Sequence, residues 1–321
     1  MLNSANWTRF YKVSPGGNTT ILLDAAQVPP ELRAELSAKL MGSLSLGAEQ
    51  VGFIDWPHAA GNQGKKFIST SLPRLDMMGG ELCANALRSY AAVLALELGQ
   101  ALPWQGKIAS SGVDGPVNVY VTGDDEGVDA AIEVPLGEEC RITALAPEKE
   151  GGASRGAVVE LPGITHIVLP GNLDYENSSL EMDRDLIRSA ETWRRTLGLS
   201  ENKAVGCIWY YLKKGGLSMQ PLVWVRDTNS NCFETSCGSG AIALALFWGE
   251  VCGQESCGSA SNPTGGGVYS PPYTSYTNFY RIMQPSGQPL WISYNSAPSA
   301  CPGSIWLGGP CEIIARGETR T

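Results

Sequence analysis

The chain has 321 residues, of which 43% are apolar and 17% charged, enough for two globular lobes with separate cores and too apolar for a disordered protein. A formal net charge of −9 leaves no basic footprint for a phosphate backbone, which excludes nucleic acid as a partner. No apolar run approaches the roughly 18 residues of a membrane span, and Met1-Leu2-Asn3-Ser4 lacks the basic start of a secretion signal, so the expectation is a cytoplasmic protein with no membrane partner.

Phe10 to Ser14 and Thr19 to Asp24 read as strands around the turn Pro15-Gly16-Gly17, which delivers Asn18 to a strand start. Residues 30–46 carry Leu32, Leu36, Leu40 and Leu44 at helical spacing, and Glu49 stands where that helix gives way to the strand Gln50 to Asp55. Trp56 to Lys66 reads as a loop, Phe67 to Leu72 as a strand, and Met77 to Glu81 as the approach to Cys83. An alanine-rich helix follows through Ala95, then a hairpin near 107–122 and a strand at Ala130 to Val134. Pro135 to Glu139, a short Pro/Gly/acidic stretch, reads as a crossover, giving a first lobe of 1–136, to which 311–321 returns, and a second of 137–310.

The second lobe reads as a polar loop at 144–156, strands at Ala157 to Leu161 and Thr165 to Leu169, and an amphipathic helix at 181–197. Strands at Ala204 to Leu212 and Leu217 to Arg226 flank a Lys-Lys-Gly-Gly turn and lead down to Cys237. A helix of Ala, Ile and Leu follows until Gly249, then a Gly/Ser/Pro/Tyr-rich surface excursion at 253–278. Strands at Tyr280 to Gln284 and Leu290 to Tyr294 precede a loop at 297–303, the strand Ser304 to Leu307, a Gly308-Gly309-Pro310 turn and a last strand, Cys311 to Ala315.

Two of these stretches are copies. With Cys83 laid on Cys237, Ala84 falls on Gly238, Ala86 on Gly240, and an apolar helix follows each; a strand, a Ser-Gly turn and another strand follow both helices. Each cysteine therefore stands at a helix N-terminus, where free backbone N–H groups and the positive dipole end stabilise a bound carboxylate or the thiolate itself. Nine cysteines, an odd number spread over the chain, do not form a secreted disulfide framework, and Cys140, Cys207, Cys232, Cys301 and Cys311 read as buried free thiols. With only His58 and His166 and no paired C-x₂-C spacing, no metal site is expected.

Four stretches, FYKVSPGGNTTILL, ELCANALRSY, FETSCGSGAIA and GGPCEIIARG, together resemble the pyridoxal-independent amino-acid racemases of the diaminopimelate epimerase superfamily. Within it the chain is most similar to histidine racemases of opine-type, staphylopine-like metallophore biosynthesis, matched at Ser14 to Leu22, Glu49 to Ile54, Cys83 to Ala86 and Gln220 to Gly240. Ala84 departs from the usual glycine. The resemblance implies an α+β fold of two pseudo-symmetric lobes, each a curled, mostly antiparallel sheet around a central helix. It also implies no cofactor and a small amino-acid substrate; the assembly is left open, a homodimer included. The distal clamp of true diaminopimelate epimerases is missing, because Asp227-Thr228-Asn229, Ile164 and Ala204 occupy its positions.

Inverting an α-carbon without a cofactor needs a base on one face and an acid on the other, the roles given to Cys83 and Cys237. The substrate carboxylate is expected at backbone N–H groups of Ala84, Asn85, Gly238 and Ser239. By resemblance Asn18 contacts the substrate's carboxylate or amine, although by itself it serves the Pro-Gly-Gly turn equally well, and Glu49 is a partner for ammonium or imidazole. Glu234 is either an N-cap anion or a substrate contact. His166 reads as a hydrogen-bonded strand histidine and Arg88 as structural. The alternatives are a diaminopimelate epimerase or other isomerase of the same fold, and a non-catalytic amino-acid or opine-binding protein.

Overall fold

The computed structural model describes residues 7–56, 72–124, 127–146, 156–171, 180–213, 216–252, 277–295 and 301–320. It is an α+β protein in two compact units, Met1–Val134 with Gly308–Thr321, and Pro135–Leu307. In chain order the first unit holds β1 (Trp7–Pro15), β2 (Thr20–Asp24), α1 (Arg33–Met41), β3 (Gln50–Asp55), β4 (Arg74–Met77), α2 (Ala84–Glu97), β5 (Trp104–Ser110), β6 (Pro116–Asp124) and β7 (Gly127–Pro135). The second holds β8 (Arg141–Ala144), β9 (Ala157–Leu161), β10 (Ile164–Pro170), α3 (Leu180–Thr196), β11 (Ala204–Lys213), β12 (Gly216–Val225), β13 (Ser230–Phe233), α4 (Gly238–Phe247), β14 (Asn278–Met283) and β15 (Pro289–Tyr294). A last strand, β16 (Ser304–Arg320), gives its first residues to the second unit and the rest to the first.

In the first unit the strands run in sequence order from β1 to β7, and β16 pairs antiparallel with β1 from Trp7↔Arg320 to Pro15↔Cys311, so the sheet closes on itself. It closes around α2, whose residues Asn85 to Ala95 are all buried. A helix buried on every side, with Asn85, Arg88 and Ser89 among mostly apolar residues, must be enclosed, and a run of alanines keeps it slim enough for strands to approach from several directions. The amphipathic α1 instead covers one outer face, where Leu36 and Leu40 join Phe10, Ile21, Val51 and Phe53.

The second unit repeats the plan. Its strands run β15-β14-β12-β11-β10-β9-β8 with β13 added to β12, and α4 is buried along its length except at Ser239. The outer helix α3 packs on Ile167, Leu169, Trp209 and Trp224. Because side chains alternate along a strand, His166 points to the opposite face from Ile167.

Several expectations need correction. The helix expected over 30–46 is a short 3-10 turn followed by α1, which stops at Met41; Leu44 is fully exposed. Strands β4 and β8 and the short β13 were not expected. The Gly308-Gly309-Pro310 turn does not exist: β16 passes straight through it, Gly308 lying so close to Ala131 that a Cβ there would stand 3.1 Å from that methyl group. Glycine here permits close strand approach rather than reversal. The strand expected at Phe67 to Leu72 and nearly all of the excursion at 253–278 lie outside the described residues.

Candidate active site

Each of the duplicated cysteines is the N-cap of the central helix of its unit. Cys83 has φ −110° and ψ 107°, and its sulfur accepts the Ala86 N–H at 3.4 Å. Cys237 has φ −117° and ψ 106°, and its sulfur accepts the Gly240 N–H at 3.3 Å. The sulfur takes the place usually held by a Ser or Asp oxygen, satisfying one orphan donor of the first turn. The remaining N–H groups of that turn include those of Ala84 and Asn85 in one unit and Gly238 and Ser239 in the other, the residues expected to receive a carboxylate.

The Ser-Gly turns also have matched roles. The Ser111 hydroxyl donates to the Glu81 carbonyl at 3.0 Å, and the Ser286 N–H donates to the Thr235 carbonyl at 3.0 Å; each carbonyl lies two residues before the cysteine. Both turns thus hold the segment that aims the thiol.

Around Cys83 the structure assembles a polar chain. The thiol donates to Gln50 Oε1 at 2.9 Å, Gln50 Nε2 donates to Asn18 Oδ1 at 2.7 Å and to Thr20 Oγ1 at 2.8 Å, and Asn18 Nδ2 donates to Glu49 Oε2 at 2.9 Å. The parallel pairing of β2 with β3, with Thr20 opposite Gln50, brings these residues together. Asn18, Glu49 and Cys83 are therefore neighbours. Gln50 was not anticipated; its signal was present, since on the strand after Glu49 it alone is a hydrogen-bonding side chain before Asp55.

Around Cys237 the surroundings differ. Its backbone N–H donates to Gln284 Oε1 at 3.0 Å, and its sulfur lies 3.6 Å from Ser239 Oγ. Burial pushes the thiol well above its ordinary pKa, helped by the Glu234 carboxylate to which it hydrogen-bonds, while Ser239 and the Gly240 N–H pull the other way. Desolvation outweighs the helix end, so the resting group is a thiol and not the thiolate that the helix position alone suggests. Gly240 is needed for packing: a Cβ there would stand 2.7 Å from Ile208 Cδ1 and 3.1 Å from both Cys237 Sγ and Met219 Cε.

Other expectations resolve residue by residue. His166 is completely buried and neutral, its pKa lowered by burial to about 3, but neither ring nitrogen has a hydrogen-bond partner among the described residues, so it is not the satisfied histidine expected. Cys207 and Cys311 are buried thiols, Cys232 is exposed, and Cys140 is bonded to Cys301, two residues expected to be free. Their Cα atoms stand 5.9 Å apart, the ordinary separation of a disulfide, which spacing along the chain does not reveal. Asp227 to Asn229 form an exposed hairpin turn, in which the Trp224 indole donates to Asn229 Oδ1 at 3.0 Å.

Among solved structures, a PhzF-family phenazine biosynthesis protein from Bacillus anthracis is similar, at 10% identity and a TM-score of 0.63 over 99% of this chain and all of that one. A hydroxyproline epimerase from Agrobacterium vitis, with bound trans-4-hydroxy-L-proline, aligns with a TM-score of 0.57 and 10% identity over 98% of this chain and 93% of that one. Curated relatives include histidine racemases from Fusobacterium nucleatum, 27% identical over 96% of this chain and 95% of the relative, and from Staphylococcus aureus, 25% identical over 74% and 78%. Residues 8–268 match the model described as the histidine racemase CntK N-terminal domain, and the chain belongs to that family of racemases.

Proposed function

We propose that the protein interconverts L- and D-histidine without a cofactor, supplying the D-form for metallophore biosynthesis. What carries the reading is the pair of identically capped cysteines, each at the head of a buried helix. In each turnover one sulfur, as thiolate, takes the α-proton of the bound amino acid, and the electron pair left on Cα spreads into the carboxylate. The other thiol then delivers its own proton to the opposite face of Cα. The products are the mirror-image amino acid and a pair of cysteines with exchanged protonation, ready for the reverse reaction.

The carboxylate, on which charge grows, is received by first-turn N–H groups, whose fixed dipoles do the work of an electron sink. The Glu234 carboxylate accepts the Cys237 hydrogen bond and, with burial, keeps that group in the thiol form that donates a proton to Cα. Gln50 and Asn18 fix the orientation of the Cys83 thiol, and Glu49 is the partner for an ammonium or imidazole. We place the reaction in the cytoplasm, where thiols stay reduced.

The test is exchange in deuterium oxide. L-histidine should yield D-histidine carrying deuterium at Cα, while diaminopimelate, whose second ammonium–carboxylate pair has no partner in place of the missing clamp, should stay essentially unexchanged. Cys83→Ala and Cys237→Ala should each lower racemisation by at least about a thousandfold with folding intact, since each removes one of two obligatory proton carriers. Faster exchange of diaminopimelate than of histidine, or near-normal racemisation by either variant, rules the proposal out.

A further inference from the structure

Arg88, on the second turn of α2, has no exposed surface at all. Its Nε donates to the Ala130 carbonyl of β7 at 2.9 Å, its guanidinium to the Pro310 carbonyl of β16 at 3.1 Å and to Asn85 Oδ1 at 3.4 Å. All three acceptors are neutral, and among the described residues no ion pair involves Arg88. A buried cation held by neutral carbonyl and amide oxygens and the Cys311 thiol is costly.

The protein supplies its own control for whether a helix at this place needs an arginine. In the duplication that lays Cys83 on Cys237, Arg88 falls on Ile242, also buried, and the helix of the second unit packs with an aliphatic side chain there. Its neighbours change with it: Asn85 corresponds to Ser239 and Ser89 to Ala243. Packing alone therefore does not call for a charge. Helical side chains lean towards the N-terminus, which is why the guanidinium reaches Asn85, the second residue of the helix and a member of the turn that Cys83 caps.

We infer that Arg88 is a positioning residue for the anion site at the head of α2, fixing the Asn85 side chain and adding a full positive charge behind the helix's own partial one. This inference rests on the reading of Cys83 as one of the two proton carriers. The helix end alone offers about half a charge. A buried guanidinium a turn and a half further along adds to it in a medium that screens poorly, and the gain grows as the carboxylate takes up the charge released at Cα. Arg88 also hydrogen-bonds the Cys311 thiol, which burial holds up to about 11 while Arg88 pulls it down; Asp129 acts on that thiol in the opposite sense.

Arg88→Met and Arg88→Lys test this with three readouts: kcat and KM for L-histidine, thermal midpoint, and the pH dependence of Cys83 alkylation by iodoacetamide. Alkylation is followed by peptide mass mapping, so that the exposed Cys232 does not confuse it. Arg88→Met should raise KM about tenfold, lower kcat, and move the alkylation midpoint of Cys83 up by about one pH unit, as loss of a nearby cation demands. Arg88→Lys should keep the midpoint near wild type and raise KM only about threefold, because charge stays and the fork to Asn85 is lost.

If Arg88→Met folds with wild-type KM and wild-type Cys83 midpoint, losing only thermal stability, the residue is structural and the inference is wrong. Should Arg88→Met not fold, Arg88→Lys decides alone, and a wild-type KM in it overturns the positioning role. The alkylation readout needs no turnover, so it stands even if the racemase reading fails.

Discussion

The two sulfurs occupy the same backbone geometry but meet different partners. Cys83 donates to an amide oxygen whose orientation Asn18 and Thr20 fix, and Cys237 faces a carboxylate inside a sealed environment. The proposed symmetric reaction would thus fall to an asymmetric pair, of which the capping geometry was legible in the sequence and the partners Gln50 and Gln284 were not. The surroundings of Cys237 depend on burial, which no local motif reports. His166 makes the same point with a measurable consequence. Its pKa is lowered by burial to about 3, against an ordinary value near 6.5, so it binds a proton less readily folded than unfolded. The stability it lends is present above pH 6.5 and is lost as pH falls towards 3. Urea titrations should show a fall of up to about 1.4 kcal/mol per pH unit in that window from this group. His166→Leu should flatten that slope and keep neutral-pH stability at or above wild type, because the ring nitrogens it removes have no partner. An unchanged slope would mean that another group controls acid unfolding.

At the scale of elements, both central helices and most strands were readable because their patterns are strong: Ala/Leu-rich helix formers without a breaker for α2 and α4, β-branched and aromatic residues for β9 to β12. What failed was punctuation. Leu44 continued the spacing of α1 on paper, yet the helix ends at Met41 with Gly42 as its cap, and Leu44 is fully exposed. Gly308 and Gly309 read as a turn but lie inside β16, where the lack of a side chain admits a neighbouring strand. The short β13 was invisible because its four residues, Ser230 to Phe233, carry no alternation and gain order only by pairing with Leu222 to Val225. Glycine as a packing device also yields a prediction at the head of α4. Gly240→Val should destabilise the protein by about 1–3 kcal/mol through overpacking against Ile208 and Met219, and should displace the Cys237 sulfur. Its counterpart Ala86→Gly should cost about 1–2 kcal/mol, from helix propensity and a lost buried methyl group, and should leave the Cys83 sulfur in place. Urea denaturation measures the losses, and a Gly240→Val variant as stable as the unsubstituted protein would show that Gly240 is not tightly packed.

For the molecule as a whole, duplication gives each unit a complete enclosed helix capped by one cysteine, which is why the proposed pair of proton carriers takes so long a chain. The second unit also carries a covalent tie that the first lacks among its described residues. Cys140 lies just after the chain enters that unit and Cys301 just before it leaves, and their bond closes a loop with a sequence separation of 161. Alongside it the Leu136 N–H donates to the Gly303 carbonyl at 3.0 Å, so entry and exit are already held together without the bond. Cross-linking so long a loop restricts the unfolded chain by up to about 5 kcal/mol in the chain-entropy account. A reducing cytoplasm opposes such bonds, so the same protein should exist in a more and a less stable form according to its surroundings. Thermal midpoints should be higher without reductant than with dithiothreitol, and Cys140→Ser should lower the oxidised midpoint to the reduced one while losing its response to reductant. Racemisation measured below both midpoints should be unaffected by Cys140→Ser, because neither Cys140 nor Cys301 is among the proposed proton carriers. If the midpoint of the unsubstituted protein ignores reductant, the two sulfurs are not joined in solution, and the second unit rests on its hydrogen bonds and core alone.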